Sequence, residues 1–486
     1  MALALGPLAA GIILAVGPPA GLSVPAWHTA ALAALMVVWW ITEALPVGIT
    51  ALAPIAVLPL LGVAPIGTAT APYADPLIFL FLGGFVVARA VERWGLHRRV
   101  ALAIVGLVGR KPAHIAGGFM VATAALSMWI SNTATAVMML PIGLSIVALM
   151  HPASVGAPVD RRTLNFERAL LLGIAYGASI GGVATLIGTP PNALMAAWLR
   201  ESAGIDLSFG RWMVVGLPMS LVLLAAAWLL LTRVAFPVGR EPIAGSATIL
   251  AQARAGLGPM KPSEKRVLAV FVLVALAWIT RPLLTALFGK LPLTDAGIAI
   301  IGAILLFAIP AARADRDGAA RGGWTPLLTW EDAKALPWSV LLLIGGGLSL
   351  AAAIGQSGLA QWIGTGLEAC TGWPAWVTLA AVAALILLLT EVMSNTATAA
   401  IFLPVVATLA ACAPGGKPIL AATVAMAASC AFMMPIATPS NAIVFASGRV
   451  RMAHMAGAGV LLNLIAVVLV TLVAWWWAPL ILPAGS

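Results

Sequence analysis

The sequence predicts an all-α polytopic membrane protein with about 11 transmembrane helices plus two re-entrant hairpins, arranged as two inverted repeats. Three observations predict it: the composition, the placement of basic residues and an internal repeat of polar motifs. Of 486 residues, 62% are hydrophobic and only 9% are charged, far less charge than a soluble domain of this length carries. Gly 48 and Pro 34 are high for helical protein, as expected where helices are kinked or broken inside a bilayer. A net charge of +10 is a footprint of nucleic-acid binding in a soluble protein. In a membrane protein it reflects basic cytoplasmic loops, so no nucleic-acid partner is expected.

Apolar runs place spans near 6–22, 27–43, 47–65, 75–95, 167–187, 212–234, 266–285, 294–311, 337–358, 418–436 and 453–482. The first run lacks Lys and Arg, so it reads as a span and not as a cleavable signal peptide. Two further stretches, 113–150 and 375–413, are each interrupted by the same polar cluster, Ser-Asn-Thr-Ala-Thr. A polar cluster at the centre of an apolar stretch suits a re-entrant hairpin whose tip meets protein or water. The chain then divides into a first span at 1–26, a first repeat at 27–235, a cytoplasmic linker at 236–265 and a second repeat at 266–486.

With the N-terminus cytoplasmic, all but five of the 26 Lys and Arg residues fall in cytoplasmic segments; the exceptions are Arg200, Arg211, Arg281, Lys290 and Lys417. The positive-inside rule therefore orients the chain in a bacterial inner membrane, N-terminus in and C-terminus out. Cys370, Cys412 and Cys430 lie in or beside apolar runs, without metal-ligand spacing, and read as small buried hydrophobes. Trp475, Trp476 and Trp477 read as an interface belt.

The halves share motifs in the same order. Trp40-Ile41-Thr42 recurs as Trp278-Ile279-Thr280, and Gly83-Gly84 as Gly345-Gly346. Ser131-Asn132-Thr133-Ala134-Thr135-Ala136 recurs letter for letter from Ser394 to Ala399, and Thr189-Pro190-Pro191-Asn192 as Thr438-Pro439-Ser440-Asn441. Five spans per repeat is an odd number, so the second repeat is expected to be inverted. Inverted repeats with broken helices are the architecture of secondary transporters, with the site at the repeat interface.

A single Ser-Asn-Thr is by default a helix N-cap. Two identical copies at membrane depth point to a site. Their oxygens are hard, neutral ligands suited to sodium, and their amide and hydroxyl groups can donate to an anion. At a hairpin tip, one helix end offers N–H groups to an anion and the other offers carbonyls to a cation. The prolines of the second motif pair are expected to break their spans around 188–192 and 437–441, exposing the carbonyls of Gly188 and Ala437. None of the four motifs holds Lys, Arg or His, so an anion's charge must be offset by dipoles, neutral donors and co-bound cations. That absence also argues against an enzyme, because no base lies near a candidate nucleophile. Glu391, three residues before Ser394, is a buried-carboxylate candidate for a proton or sodium site or for a structural acceptor.

Paired Ser-Asn-Thr motifs, each followed by a Thr-Pro-x-Asn segment, resemble the divalent anion/sodium symporter family (INDY-like; sodium/dicarboxylate and sulfate symporters) from about residue 27 onward. The resemblance implies a homodimer working by an elevator mechanism, and at least two sodium sites. By position these are Ser127, Ser131, Asn132 and the Gly188 carbonyl, and Thr390, Ser394, Asn395 and the Ala437 carbonyl. The implied contacts to the anion are Asn132, Thr133, Thr189, Asn395, Thr396, Thr438 and Pro439. Ser440 departs from its counterpart Pro191 beside those contacts. The implied activity is sodium-coupled symport of a C4-dicarboxylate such as succinate; a dicarboxylate exchanger or a sulfate or tricarboxylate transporter are the alternatives within the family.

Overall fold

A computed structural model of the chain describes residues 2–107, 109–150, 160–243, 245–289, 293–311, 325–366, 373–406, 409–410 and 415–482. Cys370, Cys412 and Lys290 lie outside the described residues; Cys430 is fully buried. Among the described residues the regular elements are helical, with one isolated bridge between Pro310 and Pro326.

Six helical stretches among the described residues are long and apolar enough to cross a membrane: Val24–Thr42, Ile66–Arg93, Phe209–Ala235, Pro262–Phe288, Trp338–Ser357 and Met452–Ile481. Four of the expected spans are shorter, Gly416–Ala428 in place of 418–436 among them. Ala2–Val16 stops at a Gly-Pro-Pro, Val47–Leu60 is interrupted at 51–52 ahead of Pro54, and Asp295–Ala308 ends just before Pro310. Helices of 14 or 15 residues rise about 21 Å, against a hydrocarbon core of about 30 Å. Leu96–Leu107, Ser246–Gly256 and Leu359–Gly366 are additional helices in segments expected to be loops. The apolar side chains left exposed, such as Leu273, Leu276 and Leu283 on Pro262–Phe288, carry no cost when the solvent is lipid.

The two stretches expected to form hairpins are each a helix pair. The first runs Pro112–Ser127 and returns as Asn132–Ala148; the second runs Ala375–Thr390 and returns as Asn395–Val406. Each Ser-Asn-Thr lies at the tip.

The two halves interlock at matched places. Asp295–Ala308 packs on Pro76–Arg93, and Val47–Thr50 packs on Trp338–Ser357. Glycine permits both approaches. A Cβ on Gly83 would stand 2.6 Å from the Ala299 carbonyl oxygen, and one on Gly346 would stand 2.1 Å from that of Ala51. The exchange recurs around the hairpins: Asn132–Ala148 packs on Pro439–Ala446, and Asn395–Val406 packs on Pro190–Ala203.

Because the Gly346 contact is against backbone, a side chain there cannot be absorbed by a rotamer change. Gly346→Val should destabilise by about 1–3 kcal/mol or more, in the range of core overpacking. Thermal unfolding of the purified variant in detergent measures this; an unchanged melting temperature would contradict the close approach.

Candidate functional site

The tip of the first hairpin is a four-residue turn, 128–131, between two helix ends. Ser131 caps the return helix, its hydroxyl accepting from the Ala134 N–H at 3.2 Å. Ser127, fully buried at the end of the inbound helix, donates to Asn132 Oδ1 at 2.5 Å. The second tip repeats this bond five residues apart: Thr390 Oγ1 lies 2.7 Å from Asn395 Oδ1 and 2.9 Å from the Ala428 carbonyl. Each tip therefore pairs a hydroxyl oxygen with an amide oxygen, both neutral.

The broken spans lie beside the tips. Arg161–Val183 ends and the helix resumes at Pro190–Ala203; Gly416–Ala428 ends and resumes at Pro439–Ala446. The prolines do not stop the helices, as the sequence suggested. They open the next ones, at a position where a missing N–H costs nothing, so the breaks lie upstream at 184–189 and 429–438.

What holds the breaks open is the asparagine at the fourth place of each motif. Asn192 Nδ2 donates to the carbonyls of Gly182 at 3.3 Å, Val183 at 3.1 Å and Thr185 at 2.8 Å. Asn441 Nδ2 donates to Ala431 at 3.2 Å and Met434 at 3.1 Å. In both cases the amide reaches the carbonyls ten and seven residues back. The recurrence of Asn at the fourth place of both motifs was the available signal. Both asparagines are fully buried, and their Oδ1 atoms have no hydrogen bond among the described residues. The Trp212 indole adds a bond to the Val183 carbonyl at 3.1 Å.

The hairpins bind the breaks by opposite chemistry. In the first half Thr185 donates to the Met128 carbonyl at 2.5 Å. In the second half Glu391, at the place equivalent to Met128, is buried and accepts backbone N–H groups. Oε1 takes Phe432 at 2.7 Å and Met433 at 2.9 Å; Oε2 takes Met433 at 3.1 Å and Met434 at 3.0 Å. Asn463 Nδ2 adds a bond at 2.7 Å. Glu391 thus has the geometry of a structural acceptor.

Among the residues singled out from sequence, Asn132 Oδ1 and the Gly188 carbonyl converge on Gly182, where a Cβ would lie 3.0 Å and 2.9 Å from them. Ser127 joins them through Asn132. Thr133 is exposed on the first turn of the return helix, and Thr396 is half-buried on the other. In the second half a hydrogen bond joins Thr390 to Asn395; Ser394 is half-buried and Ala437 is buried. Thr189 and Thr438 are both buried N-caps, and Pro439 is exposed. Thr438 accepts from the Asn441 N–H at 3.2 Å; Thr189 makes no such side-chain bond.

Paired uncharged oxygen clusters at interrupted helices, inside an apolar helical bundle, define a polytopic membrane protein of the transporter class. The chain belongs to the family described as the sodium:sulfate symporter transmembrane region, whose family model matches residues 2–482. It is a transporter and not an enzyme. It is 41% identical over 481 residues to the sodium-dependent dicarboxylate transporter SdcS of Staphylococcus aureus (strain USA300), covering 99% of this chain and 91% of that one. Its fold is similar to two solved structures of low identity. The YdaH transporter of Alcanivorax borkumensis has a TM-score of 0.57 at 13% identity, over 96% of this chain and 100% of that chain. MtrF of Neisseria gonorrhoeae, described as one of a class of antimetabolite efflux pumps, has 0.59 at 14%, over 98% and 99%.

Glu391→Gln replaces an acceptor of several N–H groups by an amide whose own N–H₂ must face some of them. A hydrogen bond to a charged group contributes about 1.5–3 kcal/mol, so the variant should lose at least that much stability. Met128→Ala, which keeps the carbonyl that the first break uses, should be nearly neutral at that junction. Thermal unfolding of the two variants side by side gives the comparison; equal small shifts would mean that Glu391 does not hold the break.

Proposed function

We propose that this chain is a secondary active transporter that couples sodium to symport of a small dianion, a C4-dicarboxylate such as succinate. The observation that carries the reading is the pair of neutral oxygen clusters, Ser127–Asn132–Gly188 and Thr390–Asn395, at interrupted helices and with no basic side chain in the motifs. A cation approaching either cluster meets a hydroxyl and an amide oxygen; the hydroxyl proton turns away and both oxygens ligate. Ser131 and the Gly188 carbonyl complete the first sodium site, and Ser394 and the Ala437 carbonyl the second. The dianion lies between the tips, on Asn132, Thr133, Thr189, Asn395, Thr396, Thr438 and Pro439. Two bound sodium ions offset its charge, which no arginine or lysine does. The SdcS relative supports both the cation and the cargo.

The proposal includes two inverted repeats, 27–235 and 266–486, that form one scaffold and one moving body containing both hairpins and both breaks. The reciprocal packing of each hairpin on the opposite break supports moving them together. A homodimer in the bacterial inner membrane, carrying its site by an elevator motion with N-terminus in and C-terminus out, is the arrangement proposed.

Uptake of labelled succinate into proteoliposomes should require an inward sodium gradient, and sulfate and citrate should compete poorly. Equal uptake in choline and sodium, with stimulation by internal succinate, would make the chain an exchanger; sulfate displacing succinate at equal concentration would change the cargo. Asn132→Ala and Asn395→Ala should each bind succinate at least about tenfold more weakly, from a lost bond of about 1.5–3 kcal/mol to a charged group. Sodium affinity measured with succinate present should fall with it, because linkage is reciprocal. Variants that fold and bind like the parent would remove the tips from the site. For orientation, single-cysteine labelling should reach the 233–243 segment only from the cytoplasmic side.

A further inference from the structure

Three buried hydroxyls form a chain that crosses from one half of the molecule to the other. Ser179, on Arg161–Val183 of the first half, lies 3.2 Å from Ser440 in the second. Ser440 Oγ lies 3.1 Å from Thr438 Oγ1. All three residues are at most 2% exposed. We propose that Ser179 and Ser440 are positioning residues that make the Thr438 hydroxyl an obligate donor, aimed at an oxyanion such as the carboxylate of the transported anion. This rests on the reading above that Thr438 touches the anion.

The direction follows from counting protons. Three hydroxyls carry three protons, and the two contacts between them use two. The third proton must leave the chain at Thr438, at Ser179, or at Ser440 where Ser440 accepts from both neighbours, since buried hydroxyls are paired. Among the described residues Ser179 has no hydrogen-bond partner but Ser440, and the Ser440 hydroxyl has none but Ser179 and Thr438. A spare proton on either of these would be buried without an acceptor, at a cost of about 1–3 kcal/mol, whereas on Thr438 it meets the anion. The chain therefore runs from Ser179 to Ser440 to Thr438. Thr438 also accepts the Asn441 N–H at 3.2 Å, so both of its acceptor positions are filled and its own proton points out of the relay. Such a hydroxyl cannot ligate a cation without losing one of those bonds. It serves a group that accepts, and each donor behind it strengthens the next.

The first half has no such device. Pro191 stands where Ser440 stands, and Thr189 takes no side-chain cap bond. Thr189 remains free to donate or accept, so the two matched threonines are chemically unequal, and Thr438 is the one committed to the anion.

The test uses the full-length purified protein with three single variants and one double, each checked by thermal unfolding. Succinate is titrated at fixed sodium, and sodium is titrated separately without succinate. Ser440→Ala should weaken succinate binding about threefold to tenfold while leaving sodium binding unchanged. Ser179→Ala should give a smaller loss, because Ser440 can still donate to Thr438. The double variant should be no worse than Ser440→Ala alone, since the relay is serial. Thr438→Ala distinguishes the two levels of failure. If it loses about tenfold while Ser440→Ala binds succinate like the parent, the relay is wrong and the site stands. If Thr438→Ala also binds like the parent, the placing of the anion on Thr438 fails. A Ser440→Ala loss matched by an equal loss of sodium binding without succinate would overturn the assignment to the anion.

Discussion

Two helices interrupted within an apolar bundle create a requirement that the rest of the molecule has to meet: freed backbone groups need partners where water cannot supply them. The Asn192 and Asn441 amides meet it from the far side of each break, each donating to the carbonyls ten and seven residues earlier. An asparagine suits this because one side chain carries two donors on a short stem, enough to gather carbonyls that no longer point along a helix. The prolines that start the following helices remove N–H groups that would otherwise need partners of their own. Once the carbonyls near Gly182 are gathered, Gly188 can fold back so that its own carbonyl lies against Gly182, beside Asn132.

The halves meet the requirement differently because one is unwound further. Counting back from the matched asparagines, the first helix ends nine residues before Asn192 and the second thirteen before Asn441. The extra turn frees the N–H groups of Phe432, Met433 and Met434. Freed donors call for an acceptor, and a carboxylate with two oxygens can accept several at once. That is where Glu391 stands, whereas the first half has Met128 there and uses its backbone carbonyl. A residue that looked like an intramembrane ionisable site is thus accounted for by four residues of unwinding.

Much of this was legible in the sequence. A Ser-Asn-Thr repeated letter for letter in the middle of two apolar stretches located both tips, and hydrophobic run length located the long helices. Two things were not legible. Proline marks where a helix cannot continue, but it also marks where one begins, and only the distance to the previous helix end separates the two; here that distance is six and ten residues. The partners of Glu391 were also hidden, because Phe432, Met433 and Met434 contribute backbone and not side chains, so their identities carry no trace of the contact. The short helix at 295–308 misled for a related reason: apolar composition continues past Pro310 where the helix does not.

The electrostatics of the second half bear on why neutral motifs suffice. Glu391 is buried, and the donors around it are backbone N–H groups and the Asn463 amide, with no lysine, arginine or histidine among its partners. It sits one residue from Thr390, whose hydroxyl meets Asn395 and the Ala428 carbonyl. A fixed negative charge next to a cluster of oxygen ligands favours a cation there and opposes an anion, by an amount that grows as the surroundings become less polar. A dianion entering the same region without cations would add two more negative charges against it. The donor proposed at Thr438 would lower that cost for one carboxylate but carries no full charge. On the proposed site, occupancy by the anion is favourable only after the oxygen clusters are filled by cations, and coupling then arises from the charge the protein leaves out of its motifs as much as from the ligands it puts in.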